Sequence, residues 1–499
     1  MFSMKLSTLY RATYIYLALP LFIFILSWLD YKAAALFIVL FLLGFYKLYY
    51  SIDDKKSNWK APRSFLSLAL LVAIIWCFFA GIGYFYYQSW DYHFRNAVFR
   101  DLINYDWPVM YDKANTPMVY YMGFWLLPAA LAKITFLFSQ NSDLAFWLGN
   151  IYLYIYAVIG VMLIFLNLAA ILEINSVKKF ILAEIIFIFF SGLDIIGYLF
   201  FQVTAQPFEY HLDWWASVIQ YSSFSTGMFW VFNQFIMVSL ATLLVCHEKA
   251  VCHFGFIIPI ILFLAPYPTV GIGVLMIAYA GYCLYQTTNK KSFIMNDCFS
   301  VPNMIGVFWL LPLVILYFIT NSEGMDKLWY VFSFITPKRL LLFMMLEFLL
   351  YVFILFASYK NNIFFIGTII SLCLIPFFRI DQQNNFCTRT SIPALIVLAV
   401  FVIKFLFDYY EKKKALSISL IILLLIGSAT PVMEFYRGIH YTLEAKKLRL
   451  VKDEIYTLNQ PFVRMPVFGW DANHQYTARN YRTDIFWQYL AKNNLTKHY

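Results

Sequence analysis

Residues 145–171 read AFWLGNIYLYIYAVIGVMLIFLNLAAI, a run with no charged side chain from end to end. A helix rising ~1.5 Å per residue needs ~20 residues to cross ~30 Å of hydrocarbon, so this stretch is long enough to span a bilayer. No water is available in that layer to bond backbone groups, which leaves helices or a closed barrel, and the run is far too long for a barrel strand. Comparable runs lie at roughly 12–29, 32–50, 65–86, 179–201, 227–246, 253–267, 268–286, 302–320, 340–358, 361–377, 391–408 and 415–430. Of the 499 residues 62% are hydrophobic and 13% charged, whereas an average soluble domain carries about 25% charged residues. The expected fold is an all-α polytopic membrane protein, not a soluble or secreted enzyme. Lys5 and Arg11 precede the first run, and no small-residue cleavage site separates it from the second, so it reads as a retained helix.

The segment 119–137 decides the parity. It is apolar but contains Pro128 and Lys133 and follows a polar loop. If it spans, there are about fourteen crossings; if it lies in the surface or dips in and returns, there are about thirteen and the tail ends on the far side. With the lower count Lys5/Arg11, Lys55/Lys56/Lys60/Arg63, Lys178/Lys179, Lys249, Lys290/Lys291, Lys360 and Lys412–Lys414 all fall on the cytoplasmic side, as short basic loops do. The expected topology is therefore N-terminus cytoplasmic, about thirteen helices and C-terminus extracytoplasmic. Residues 1–430 form the transmembrane domain, with an outer loop at 87–144 carrying interfacial helices, and 431–499 form a small extracytoplasmic C-terminal cap.

A net charge of +10 in such a chain sets orientation rather than nucleic-acid binding. The seven cysteines lie mostly in or beside the spans with no CxxC, so they read as small apolar packers. There is no internal repeat, glycine-rich nucleotide loop or zinc-ligand spacing, and no metal site is expected from the residues. Chemistry has to be sought where polar groups meet the outer ends of helices.

Three constellations stand out. The loop after the third span reads YYQSWDYHFRNAVFRDLINYDW, with a short interfacial helix from Phe94 to Ile103. Asp91 is placed at the top of the preceding helix, where partial desolvation would make its carboxylate a useful proton acceptor; the plainer role is capping the interfacial helix. His93 is a weaker neighbour. The second constellation joins Asp194, in SGLDIIGYLF, to Glu209, His211, Asp213, Trp214 and Trp215. An ionised mid-span aspartate costs at least ~2.5–3.5 kcal/mol, so Asp194, the clear mid-span acid, faces a cavity or a partner. The Trp pair with its polar neighbours fits a stacked sugar ring, or a simple interfacial anchor. Third, PFFRIDQQNNFCTRTSIPAL places Arg379, Asp381 and Arg389 at an outer helix end, where a guanidinium fork suits phosphate oxygens, or where an Arg–Asp pair holds the loop. The tail adds Arg464, Trp470, Asp471, His474, Arg479 and Arg482.

The acidic residue in WDYHF (Asp91), the first long outer loop with its interfacial helix, and the following P-x-x-Y-Y element (Pro117, Tyr120, Tyr121) resemble the polytopic glycosyltransferases of the GT-C superfamily. SGLD, HLDWW, YSSF, FNQ, RID and TRTSIPAL also resemble a group of uncharacterised bacterial membrane proteins. The resemblance implies transfer of a sugar from a polyprenyl-phosphate or polyprenyl-diphosphate donor to an envelope glycan, polymer or lipid at the outer face of a bacterial cytoplasmic membrane. It implies that Asp91 activates the acceptor and that the arginines hold the donor phosphate; in some branches the first-loop carboxylate binds a divalent metal. The paired acidic motif common in the superfamily is absent, since Tyr92 follows Asp91. The expected partners are that lipid-linked donor, the envelope acceptor and membrane lipids, with no nucleic acid. Two other classes fit the same composition: a transporter or flippase for a lipid-linked precursor, which should show broken midplane helices and buried ionisable groups, and a non-catalytic envelope assembly protein.

Overall fold

The computed structural model describes residues 3–53, 59–201, 211–321, 328–330, 335–380, 384–448, 455–460 and 475–492. Among the described residues nine helices are long and apolar enough to cross a membrane, and the chain is a multi-pass, almost wholly α-helical membrane protein. The helices that position the site are α1 (Leu6–Trp28), α2 (Tyr31–Ser51), α3 (Arg63–Phe79), α4 (Tyr92–Asn104), α5 (Gly123–Ser139), α6 (Ser142–Ile171), α7 (Val177–Ile188) and α8 (Asp194–Phe201). They are followed by α9 (Phe224–Glu248), α10 (Val251–Leu264), α11 (Pro266–Gln286), α12 (Val301–Phe318), α13 (Pro337–Tyr359), α14 (Ile363–Phe377), α15 (Asn385–Tyr409) and α16 (Lys414–Glu444).

Short backbone pairings close the two ends of the bundle. At one end Ser3–Lys5 pairs antiparallel with Lys60–Pro62, and Arg11 donates to the Ile52 carbonyl at 3.1 Å. At the other, Leu29 bridges to Ala491, and the Asp30 amide donates to the Leu490 carbonyl at 2.8 Å. Since α1 runs from the first end to the second, the N-terminal strand and residues 475–492 lie at opposite ends of the bundle.

The segment in doubt becomes α5, which pairs antiparallel with the first half of α6: a Cβ on Gly149 would stand 3.1 Å from the Ala132 Cβ, and Phe124 lies 5.1 Å from Tyr156. The Tyr120 amide before it donates to the Tyr317 hydroxyl at 3.0 Å, and Ser142 after it bonds Asn104 at 2.9 Å. The segment before α5 thus packs against α12 and the one after it against α4, while α5 itself runs alongside the first half of α6.

The run expected at 179–201 is broken. Residues 189–193 leave helical geometry between α7 and α8, and the carbonyls this frees are taken up by neighbours: Phe190 accepts from the Phe224 amide at 3.1 Å and Ser191 from the Tyr351 hydroxyl at 3.0 Å. Irregular backbone at this depth persists only where protein satisfies it. Helix α9 kinks at Val231 (φ −138°, ψ 39°), and α13 contains a wider, π-helical turn at Met345–Leu349. Helix α3 ends at Phe79, earlier than its apolar run, and α16 runs straight through position 431, where the sequence loses hydropathy.

Candidate functional site

The kink in α9 and the break between α7 and α8 both fall on the tail-bearing half, and there the polar side chains collect. Asp194 opens α8 fully buried, its Oδ2 accepting from Ser191 at 2.8 Å and from Thr430 of α16 at 2.8 Å. Glu347 arrives from the wide turn of α13 beside Asp194, and its Oε1 accepts the Trp215 indole N–H at 2.9 Å. The backbones meet as well, the Leu193 amide donating to the Leu346 carbonyl at 3.0 Å. Asp213, buried in the short 3-10 turn Leu212–Ala216, accepts from Gln220 at 3.3 Å. Burial, with the nearby Asp194 and Glu434 carboxylates adding to it, holds the Asp213 carboxyl well above the ordinary carboxylate range. One oxygen of each of Asp194, Asp213 and Glu347 is buried without a hydrogen-bond partner.

A second strand of the network starts at Asp91. It stands in the turn before α4, well past the end of α3, and its side chain does not cap α4. Its Oδ2 is 3.0 Å from Arg95, and the aspartate is 41% exposed while the arginine is 4% exposed. That half-exposed, ion-paired setting differs from the desolvated helix top expected for it. Arg95 also bonds the carbonyl of Trp230, the residue before the kink. The Trp230 indole donates to Glu434 at 3.2 Å; Glu434 in turn pairs with Arg437 and stands 3.0 Å from His211 Nδ1, and Arg437 packs over the Trp230 ring at 4.9 Å. The first and second constellations are therefore joined through residues that carried no flag in the sequence.

The third constellation reaches the same place from α15. Arg389 is buried, donates to the Tyr121 hydroxyl at 2.8 Å and lies 5.7 Å from that ring. Tyr121 is also within electrostatic reach of Arg95. Asn384, in left-handed conformation (φ 53°), donates to the Val218 carbonyl at 2.7 Å and so docks this segment on the loop of His211 and Asp213. Arg379 lies in a short strand, Phe378–Ile380, paired with Leu328–Tyr330 and opposite Trp329.

Of the other expected residues, Trp214 is 40% exposed, its ring 4.8 Å from His211. Trp215 is fully buried; a Cβ on Gly197 would fall 2.2 Å from its ring, so this indole is packed against α8 and not presented to a sugar. His93 packs edge-on to Trp90 at 5.2 Å. Glu209, Asp381, Trp470 and His474, with Arg464 and Asp471, lie outside the described residues. Among the described residues no three His, Cys, Asp or Glu side chains group as a metal site.

Sequence reading missed Glu347, Glu434, Arg437, Trp230 and Arg95. Glu347 carried the same signal as Asp194, a carboxylate inside an apolar run (LLFMMLEFLLYVF), and Asp194 is not alone as a buried acid, because Glu184 in α7 is 1% exposed too.

The fold and this site define the class, a multi-pass α-helical membrane protein with a buried carboxylate and guanidinium network at one end. No family model matches the chain, and neither a curated protein nor a solved structure does.

Proposed function

We propose that this chain transfers a sugar from a polyprenyl-phosphate or polyprenyl-diphosphate donor to an envelope glycan, polymer or lipid, at the outer face of a bacterial cytoplasmic membrane that it crosses about thirteen times in a GT-C-like arrangement. The tail-bearing end is the outer face and the N-terminus is cytoplasmic, because Lys178/Lys179, Lys249, Lys290/Lys291 and Lys412–Lys414 flank helix ends at the opposite side. The observation that carries the reading is the presence, at one end of the bundle, of Arg389 on the Tyr121 hydroxyl and of the Asp91–Arg95 pair. Guanidinium groups match phosphate oxygens in shape as well as charge. A carboxylate beside them is placed to take the proton of an acceptor hydroxyl as it attacks the anomeric carbon, while the arginines stabilise the charge growing on the leaving phosphate. A single carboxylate in direct displacement inverts the anomeric centre; a retained centre would need a second one, for which Asp213 stands nearest the network.

The test is transfer of radiolabelled sugar from a polyprenyl-phosphate donor by the protein in nanodiscs, with donor affinity titrated on the same sample. Arg389→Lys keeps the charge and loses the fork, and donor affinity should drop roughly 10-fold. Unchanged affinity in this variant removes Arg389 from the phosphate site.

A second reading, translocation of a lipid-linked precursor, is favoured by the broken α7–α8 pair, the kinked α9 and the buried Asp194, Glu347 and Glu184, features that transporters place near the midplane. Sealed proteoliposomes separate the two: a translocator moves labelled lipid between leaflets with the donor intact, whereas a transferase consumes the donor.

A further inference from the structure

The opposite end of the bundle holds a second set of reactive side chains. The turn at Lys249–Ala250 joins α9 to α10 and brings Glu248 beside His253, with Glu248 Oε1 3.2 Å from His253 Nδ1. Across the imidazole, the Oγ of Ser51, the last residue of α2, stands 2.6 Å from Nε2. Tyr14 of α1 donates to Glu248 and lies 3.1 Å from Nδ1, which fixes the far side of the ring. Glu248, His253 and Tyr14 are buried, whereas Ser51 is exposed.

These groups face open space. Ser51, His253 and Glu248 line a cavity of about 320 Å³, whose apolar wall includes Ile52 and Phe293. That volume suits a small ligand or the reactive part of a larger amphiphile. Ala250, Val251 and Cys252 line it too, so the first turn of α10, whose leading N–H groups have no carbonyl within the helix, forms part of the same wall. A tie holding four helices together requires the hydrogen bonds; it requires neither an exposed hydroxyl nor a cavity in front of it.

We propose that Ser51, His253 and Glu248 form a nucleophilic site for acyl transfer at this face, acting on a carboxylic ester whose acyl part lies against Ile52 and Phe293. Nucleophile, base and orienting carboxylate stand within hydrogen-bond reach in the order such chemistry needs. The Ser51 oxygen attacks the ester carbonyl carbon as its proton passes to His253 Nε2. The ester C–O bond breaks, the departing alkoxide takes that proton, and an acyl-Ser51 remains. Water, activated by the same imidazole, then attacks the acyl carbon, releasing the carboxylic acid and returning the proton to Ser51. Glu248 holds Nδ1–H throughout and stabilises the imidazolium. The α10 N-terminus supplies the positive field for the carbonyl oxygen as it becomes an oxyanion. At rest the Ser51 hydroxyl also lies 2.7 Å from the Leu48 carbonyl, so turning it from that acceptor to Nε2 precedes attack.

The test treats the full-length protein in detergent with a fluorophosphonate probe and maps the adduct by peptide mass spectrometry, with p-nitrophenyl butyrate hydrolysis measured alongside. The expected result is an adduct on Ser51, absent from Ser51→Ala, formed at least ~10-fold more slowly in His253→Gln, and ester hydrolysis lower by on the order of 10³-fold in Ser51→Ala. Ser51→Ala removes only an exposed hydroxyl, so its fold should stand. Failure of the unaltered protein to label at Ser51, labelling that survives in His253→Gln at the parent rate, or hydrolysis unchanged in Ser51→Ala would each overturn the assignment and leave the cluster as a link between helices.

Discussion

Single side chains separate catalytic from architectural roles here. Asp91 does not cap α4, and its carboxylate is half-exposed although its partner Arg95 is buried. Asp91→Asn keeps an oxygen within reach of Arg95 and should lower sugar transfer by roughly 10²-fold or more, the range for a lost proton acceptor. Transfer within about twofold of the parent would take the base role away from Asp91 and send the search to Asp213 or Asp194. Asp213 supports a complementary experiment. Burial holds its carboxyl well above the ordinary carboxylate range, and Asn presents a similar shape that still accepts from Gln220, so Asp213→Asn should fold and melt like the parent. A large loss of melting temperature would mean that the carboxylate form is what the fold requires. The sequence made Asp91, Asp194 and Arg389 visible because a charged group beside or inside an apolar run is costly and stands out. It could not tell which of them is exposed, since exposure depends on what packs from elements distant along the chain.

Between elements, the contact of the tail with α4 titrates. Asp101 of α4 accepts from the Tyr111 hydroxyl at 3.0 Å, from Thr457 at 2.6 Å and from the Leu458 amide at 2.9 Å, so residues 455–460 are fastened to α4 through one carboxylate. Arg100 beside it lies 4.1 Å from the Phe146 ring and 4.6 Å from that of Tyr456. Burial raises the Asp101 pKa from 3.8 to about 6 despite the hydrogen bonds that oppose it. The docked state therefore holds a proton over a range where the undocked carboxyl has already released it. Docking is strongest below pH ~4, weakens as pH rises from about 4 to 6, and is flat above that; at ~1.4 kcal/mol per pH unit this group alone contributes on the order of 3 kcal/mol. Limited proteolysis at 455–460 should accordingly be slower at pH 4.5 than at pH 7.5, and Asp101→Asn should remove most of the difference. Equal cleavage of the parent at both pH values would contradict this. An amphipathic helix near 94–103 was legible from its pattern, and α4 contains it. That α4 is covered by the tail was not, because the two segments are more than three hundred residues apart in sequence, and nothing local in either records the contact.

For the whole molecule the question is sidedness. Residues 475–492 and the N-terminal strand occupy opposite ends, so a cysteine at Arg482 and one at Lys291 should report opposite faces. In intact cells Arg482→Cys should react with a membrane-impermeant maleimide, and Lys291→Cys only after permeabilisation. Labelling of both in the same state would overturn the proposed thirteen crossings, and the reverse order would overturn the orientation. By itself the sequence determined that this chain is a multi-pass helical membrane protein, because hydrocarbon admits no unpaired backbone and each apolar run must satisfy its own hydrogen bonds. Tertiary structure alone decided that α5 packs antiparallel to the first half of α6, that the run at 179–201 is two helices with Asp194 at the break, and that Asp194, Asp213, Glu347 and Glu434 share one buried network. The reason is that a helix break or a buried charge persists only when a distant segment supplies the missing hydrogen bond, as Thr430 does for Asp194 and Tyr351 for the Ser191 carbonyl.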